Sequence, residues 1–217
     1  HIMKAMQEAC KDPENYKYAL ADRPEMLEAM RDFYQTRFGV ELMTDQIMSM
    51  YGSQEGMAHI GLVLCDPGDV MLVPNPGYPV FADGPSLAGA ELYYMPQREE
   101  NHYIIDLKEI PEEVAQKAKF MIVSYPNNPT AVLAPDSFYE ELIAFAKKYD
   151  VVLLHDNAYS DIVFGGKKGK SFLSYPGAME VGIEFYSLSK SYNMTGMRIS
   201  FALGNREIIN MFKKVRS

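Results

Sequence analysis

Apolar positions along the chain alternate between two periods, and the switch from one to the other divides it into elements. Over residues 24–37, Met26, Leu27, Met30, Phe33 and Tyr34 fall on one helical face, and Gly39 follows as a stop. Residues 47–51 read as a strand that runs through Gly52 into a helix beginning near Ser53. Residues 70–74 and 91–95 are further strands bounded by Pro or Gly. The unbroken apolar run at 119–125 is what a strand covered on both faces requires. Pro135 and Asp136 open a helix whose Phe138, Leu142, Phe145, Ala146 and Tyr149 share a face. Buried strands are expected at 151–155, 182–187 and 198–203, and Ile208, Ile209, Phe212 and Val215 mark a closing helix.

Strands separated by crossover-length helices predict a single α/β domain with a mostly parallel sheet. Several of the strands release small or polar clusters at their ends. These are Gly52-Ser53-Gln54, Asn127-Asn128-Pro129-Thr130, Asp156-Asn157-Ala158-Tyr159 and Ser187-Leu188-Ser189-Lys190. Open α/β sheets bind ligands beyond the carboxyl ends of their strands, so four such clusters on one rim would make one site.

Composition narrows the chemistry. At 217 residues and 47% hydrophobic, the chain can bury a substantial core. Its net charge is −8 and it has no basic cluster, so nucleic acid is not an expected partner. No apolar run reaches the length of a membrane span, and a cytoplasmic location is the default expectation. Cys10 and Cys65 form no CxxC unit and are expected to be reduced and buried. His1, His59, His102 and His155 lack metal-site spacing.

Lys190 leaves a buried strand between Ser187, Ser189 and Ser191, with Arg198 close behind. A desolvated lysine becomes a nucleophile toward aldehydes, and hydroxyls with an arginine fork can hold a dianionic phosphate. A surface lysine in a serine-rich loop would read the same way locally. The Gly52 turn entering a helix offers backbone N–H groups and a positive dipole end to an anion, or else only a cap by Ser53. Asp156, at the mouth of a buried strand, needs a cationic partner to offset desolvation, and a protonated pyridine nitrogen would serve; taken alone, it reads equally as a helix or turn cap. Tyr78 in its proline-braced loop could stack on a planar ring or lie in the core. Asn128 and Tyr159 could orient ring substituents, though Asn128 is equally a turn residue.

Together these residues resemble the pyridoxal-phosphate-dependent aminotransferases of the aspartate-aminotransferase fold, fold-type I, class I/II. The run 187–198 is similar to that family's lysine signature, Asn128-Pro129-Thr130 to its NPT motif, and Asp156 with Tyr159 to its DxxY motif. Residues 52–56, 74–80 and 191–196 look most like the LL-diaminopimelate aminotransferase group. The resemblance implies a three-layer α/β/α large domain over residues 1–217, with a mostly parallel mixed sheet. It implies that Lys190 carries pyridoxal 5'-phosphate as a Schiff base. Asp156 would pair with the ring nitrogen, Tyr159 with the phenolic oxygen, and Tyr78 would stack, with Asn128 beside the ring. Ser53, Gln54, Ser187, Ser189 and Arg198 would hold the phosphate, and Tyr18 would reach the phosphate of a neighbouring subunit in a homodimer.

The implied activity is transfer of an amino group between an L-amino acid and a 2-oxo acid. A C–S β-lyase on the same fold, and a catalytically incomplete cofactor-binding or dimerisation fragment, are the alternatives. The family's N-terminal segment and C-terminal small domain have no counterpart here. A large-domain fragment with weak or no turnover of its own is therefore expected. Ala131 stands where the family usually has glycine, Met197 where it has tryptophan, and Asp22-Arg23-Pro24 where it has Gly-x-Pro. Altered loop packing near the site is expected from the first two.

Overall fold

The computed structural model describes residues 1–216. Seven strands form one sheet: β1 (Ile47–Met50), β2 (Val70–Asn75), β3 (Glu91–Pro96), β4 (Ala118–Val123), β5 (Val152–Asn157), β6 (Gly182–Ser187) and β7 (Ser200–Gly204). They lie in the order β1-β7-β6-β5-β4-β2-β3. All pairs from β3 through β6 are parallel, whereas β7 is antiparallel to both β6 and β1. Six strands thus point one way and β7 alone opposes them.

Successive side chains of a strand face opposite sides, and the core divides accordingly. Val70, Leu72, Met121, Leu153 and Phe201 join one apolar cluster, and Met71, Val73, Ile122, Leu154 and Ala202 join the other. Helices α2 (Pro24–Phe38) and α6 (Asp136–Tyr149) cover the first face. Helices α3 (Ser53–Leu64), α4 (Val80–Leu87) and α9 (Arg206–Arg216) cover the second. The result is the three-layer α/β/α sandwich with a mostly parallel sheet.

Helix α2 ends as the sequence reads it, at Gly39 in the left-handed region (φ 69°). Helix α4 is not legible, because Asp83-Gly84-Pro85 has the composition of a turn. Packing overrides that composition: a Cβ on Gly84 would lie 2.0 Å from the Met57 carbonyl oxygen, and one on Gly61 2.8 Å from the Pro85 Cα. Glycine at both positions lets α3 and α4 approach to backbone contact.

Three expectations are corrected. Asp156 lies inside β5, not beyond it, because its neighbours stay paired with β6 through Asn157. Arg198 lies before β7 in a left-handed backbone conformation (φ 54°), so the strand starts two residues later. Cys65 is buried but Cys10 is exposed, since the preceding helix α1 (Ile2–Ala9) buries none of its residues. Ala131 adopts φ 57°, the conformation glycine takes freely, at a cost of about 1 kcal/mol for an alanine. Met197 is exposed on the turn that leads into Arg198. Among the described residues no helix is long and apolar enough to cross a membrane.

Candidate active site

The opposed direction of β7 assembles the site. β1, β2, β4, β5 and β6 end on one rim, and β7 begins there. Ser200 pairs with both Met50 and Ser187, so the turns beyond those residues converge with Arg198. Helices α8 (Leu188–Ser191) and α3 start at this rim as well. A cavity of about 190 Å³ opens there. Its walls include Ser53, Gln54, Tyr78, Asn128, Asp156, Tyr159, Ser187, Ser189, Lys190 and Arg198. Every candidate site residue from the sequence is present except Tyr18, which is 97% exposed.

One end of the cavity suits an anion. Gly52 precedes α3 at φ 93°, and the Arg198 guanidinium packs so closely that a Cβ on Gly52 would lie 2.0 Å from Nη2. Arg198 Nη1 donates to the Thr195 carbonyl at 3.0 Å. Ser53 is the first helical residue of α3 and not its cap, and its buried hydroxyl has no partner. Ser187 caps α8 by accepting from the Ser189 N–H at 3.2 Å, which leaves its own proton free to donate. The expected pair of hydroxyls is therefore one capping serine and one buried neighbour, Ser189.

Asp156 is buried on the α3 side of the sheet, the side of Leu154. Its Oδ1 has no hydrogen-bond partner. Burial pushes its carboxyl up to about 7, with His155 opposing and Glu184 adding to the rise. Burial also raises the Tyr159 phenol, and Asp156 raises it further. Tyr78 stands edge-on to Phe81, ring centres 6.0 Å apart, with part of its face open to the cavity. Lys190 departs from expectation: it is exposed, left open to solvent by the described residues. Its Nζ lies 6.0 Å from the centre of the Tyr159 ring.

Sequence reasoning gave no role to Ser124 or Thr195, nor to Asn127 beyond its place in a polar cluster, and all three also line the cavity. Ser124 Oγ donates to the Asp156 carbonyl at 2.9 Å, and Asn127 Nδ2 donates to Gln97 Oε1 at 3.0 Å. It also missed Glu184, fully buried on the opposite face. The hydroxyls of Tyr34 (2.7 Å) and Ser171 (2.8 Å) and the Asn157 amide (3.1 Å) donate to its Oε1. The Phe172 N–H (2.8 Å) and His155 Nδ1 (2.7 Å) donate to Oε2. Burial works against the charge, but these donors outweigh it and hold the Glu184 carboxyl below its usual range. A single glutamate between Ile183 and Phe185 in an otherwise uncharged strand was the available signal. Glu184→Gln keeps the volume but turns an amide NH₂ toward buried donors. Urea unfolding should show a loss of about 2–4 kcal/mol.

The family model for aminotransferases of class I and II matches residues 1–217. This chain belongs to that family. It is 45% identical over 219 residues to an LL-diaminopimelate aminotransferase of Syntrophobacter fumaroxidans, covering all of this chain and 56% of that protein. Among solved structures, substrate-bound BacF from Bacillus subtilis superposes with a TM-score of 0.95 at 40% identity. That match covers 99% of this chain and 55% of BacF. A probable N-succinyldiaminopimelate aminotransferase from Thermus thermophilus gives 0.93 at 38%, covering 99% and 58%. The chain therefore spans little more than half the length of these class I and II relatives.

Proposed function

We propose that residues 1–217 are the cofactor-binding large domain of a pyridoxal-phosphate-dependent aminotransferase. It would transfer an amino group between an L-amino acid and a 2-oxo acid, with diaminopimelate-type donors favoured by the relatives' names. The observation that carries this reading is the unpartnered, buried Asp156 oxygen on the floor of a cavity whose mouth holds Lys190 and whose end holds Arg198. A protonated pyridine ring is the partner that such a carboxylate lacks, and the Ser53–Gly52–Arg198 end matches a phosphate in charge and donors. The residues present fit the group.

When bound, the cofactor supplies an aldehyde that bonds reversibly to amines and a cationic ring that draws electrons from the adjacent carbon. Asp156 would pair with the ring nitrogen and favour its protonated form. Tyr159 and Asn128 would hold the phenolic edge, and Tyr78 would lie against the ring. Ser53, Gln54, Ser187, Ser189 and Arg198 would hold the phosphate. Lys190 would supply the amine for covalent attachment and would serve as the base and then the acid for the proton at the substrate Cα. Tyr18, fully open to solvent, is available to the phosphate site of a second subunit in a homodimer.

Incubation with pyridoxal 5'-phosphate, borohydride reduction and peptide mass mapping should place the label on Lys190; a label elsewhere, or none, overturns the cofactor assignment. The full chain that carries these residues should form 2-oxo acid from LL-diaminopimelate, aspartate or alanine only when a second oxo acid is supplied. Release of pyruvate and ammonia from cystathionine without an oxo acid would instead establish the lyase. Gly52→Ala should displace the Arg198 guanidinium and weaken cofactor binding about 10–100-fold, the worth of one charge-assisted hydrogen bond, read by fluorescence titration.

A further inference from the structure

Behind the Lys190 turn, on the α2 side of the sheet, lies a polar knot that the proposed cofactor chemistry does not use. Its centre is Asp161, whose side chain is only 23% exposed. Oδ1 accepts from Arg37 Nε of α2 at 2.8 Å. Oδ2 accepts from the Tyr186 hydroxyl of β6 at 2.6 Å and from Ser191 Oγ at 2.8 Å. Arg37 also reaches the Ser160 and Gly169 carbonyls, both at 3.4 Å. Burial works against the Asp161 charge, but the donors from Tyr186, Arg37 and Ser191 outweigh it and lower its carboxyl below the usual range.

The knot joins two pieces of the site. Asp161 lies within the turn closed by the Ile162 N–H on the Tyr159 carbonyl at 2.9 Å, so it moves with Tyr159. Ser191 is the last residue of α8 and directly follows Lys190. α8 is one helical turn, too short to hold itself in water, so its shape depends on what grips its ends. Ser187 grips the first end through the Ser189 N–H, and Asp161 grips the last through Ser191.

We propose that Asp161 is a positioning residue: through Ser191 it fixes the direction in which Lys190 projects relative to Tyr159, and so presents the amine to an aldehyde lying on Asp156. The inference rests on the cofactor reading above. Arg37 and Tyr186 orient the carboxylate, and Ser191 transmits its position to the lysine turn. An exposed lysine on a long, flexible stem needs this more than a buried one, because no surrounding wall restricts it.

The test compares wild type, Asp161→Asn, Ser191→Ala and Ser191→Thr in three measurements. One is the rate of borohydride-trapped attachment of pyridoxal 5'-phosphate to Lys190. Another is trace acylation of the Lys190 amine in cofactor-free protein, resolved by peptide mass spectrometry. The third is the thermal midpoint of unfolding. Asp161→Asn and Ser191→Ala should slow attachment about 10–100-fold, the usual consequence of a small misplacement of a reacting group. Acylation should be unchanged, because the amine is as accessible as before, and Ser191→Thr should restore the rate. Attachment at the wild-type rate in both impaired variants overturns the proposal. So does a parallel fall in attachment, acylation and thermal midpoint, which marks a merely structural residue. Wild type that takes no label at Lys190 sinks the cofactor reading itself, and this inference with it.

Discussion

Replacing Lys190 with alanine should leave a folded protein that binds pyridoxal 5'-phosphate without a covalent bond and turns over essentially no substrate. Lys190 is exposed and makes no hydrogen bond within the core, so its removal opens no cavity and the unfolding midpoint should stay within experimental error of wild type. Activity of the full chain should fall by roughly 10⁴-fold or more. Loss of a positioned acid–base group alone costs about 10²–10⁴-fold, and loss of the covalent hold adds to it. Single-turnover absorbance with an amino-acid donor would measure the drop. Added small primary amines should recover part of the proton transfer, as they replace the missing base without restoring attachment. Residual activity above about a hundredth of wild type would mean that another group moves the proton, and Tyr159 would be the next to test.

Asp156→Asn should have opposite effects on the empty and the loaded protein. In the cofactor-free protein the Asp156 carboxyl is raised to about 7 by burial, against about 4 in an unfolded chain. The folded state therefore holds its proton longer than the unfolded one. Below about pH 4 both states are protonated and the residue is neutral to stability. As pH rises from there toward 7, the folded protein loses stability, because ionising the buried group is costly. Asparagine removes that loss, so above pH 7 the variant should be more stable by about 2–4 kcal/mol, with no difference below pH 4. Urea unfolding across this range would show it. With the cofactor bound the sign reverses: the carboxylate has its cation, and the variant forfeits a buried pair worth about 3–5 kcal/mol, a loss of at least a hundredfold in activity. A variant with wild-type activity would remove Asp156 from the ring nitrogen.

The two effects share one cause. Asp156 carries an unpaired buried oxygen, whereas Glu184, one strand away and on the other face, satisfies its charge with five donors. Both carboxylates are buried in adjacent strands. Glu184 is complete without a ligand and belongs to the structure, while Asp156 is not. That contrast is what the proposed role of Asp156 rests on, and it exists only in the folded chain.

What the sequence determined by itself is local. The apolar runs in β4 and at the start of β5 identified buried strands, since continuous apolar residues have no other use at that length between turn signals. The polar clusters after them marked the ligand rim, and ten of the fifteen residues that line the cavity belong to those clusters. Tertiary structure decided what depends on pairing between distant segments. The reversal of β7 carries Arg198 to the rim from the start of its strand, and only glycine at position 52 leaves room for its guanidinium. Helix α4 forms through Gly84-Pro85 because α3 packs against it, against local propensity. Lys190 is exposed because none of the described residues closes over it at the end of α8. Neither Glu184 nor Asp161 could be given a role from the sequence, because a carboxylate's role is set by its donors. Theirs come from α2, β5, β6, α8 and the segment between β5 and β6, which sequence spacing does not relate.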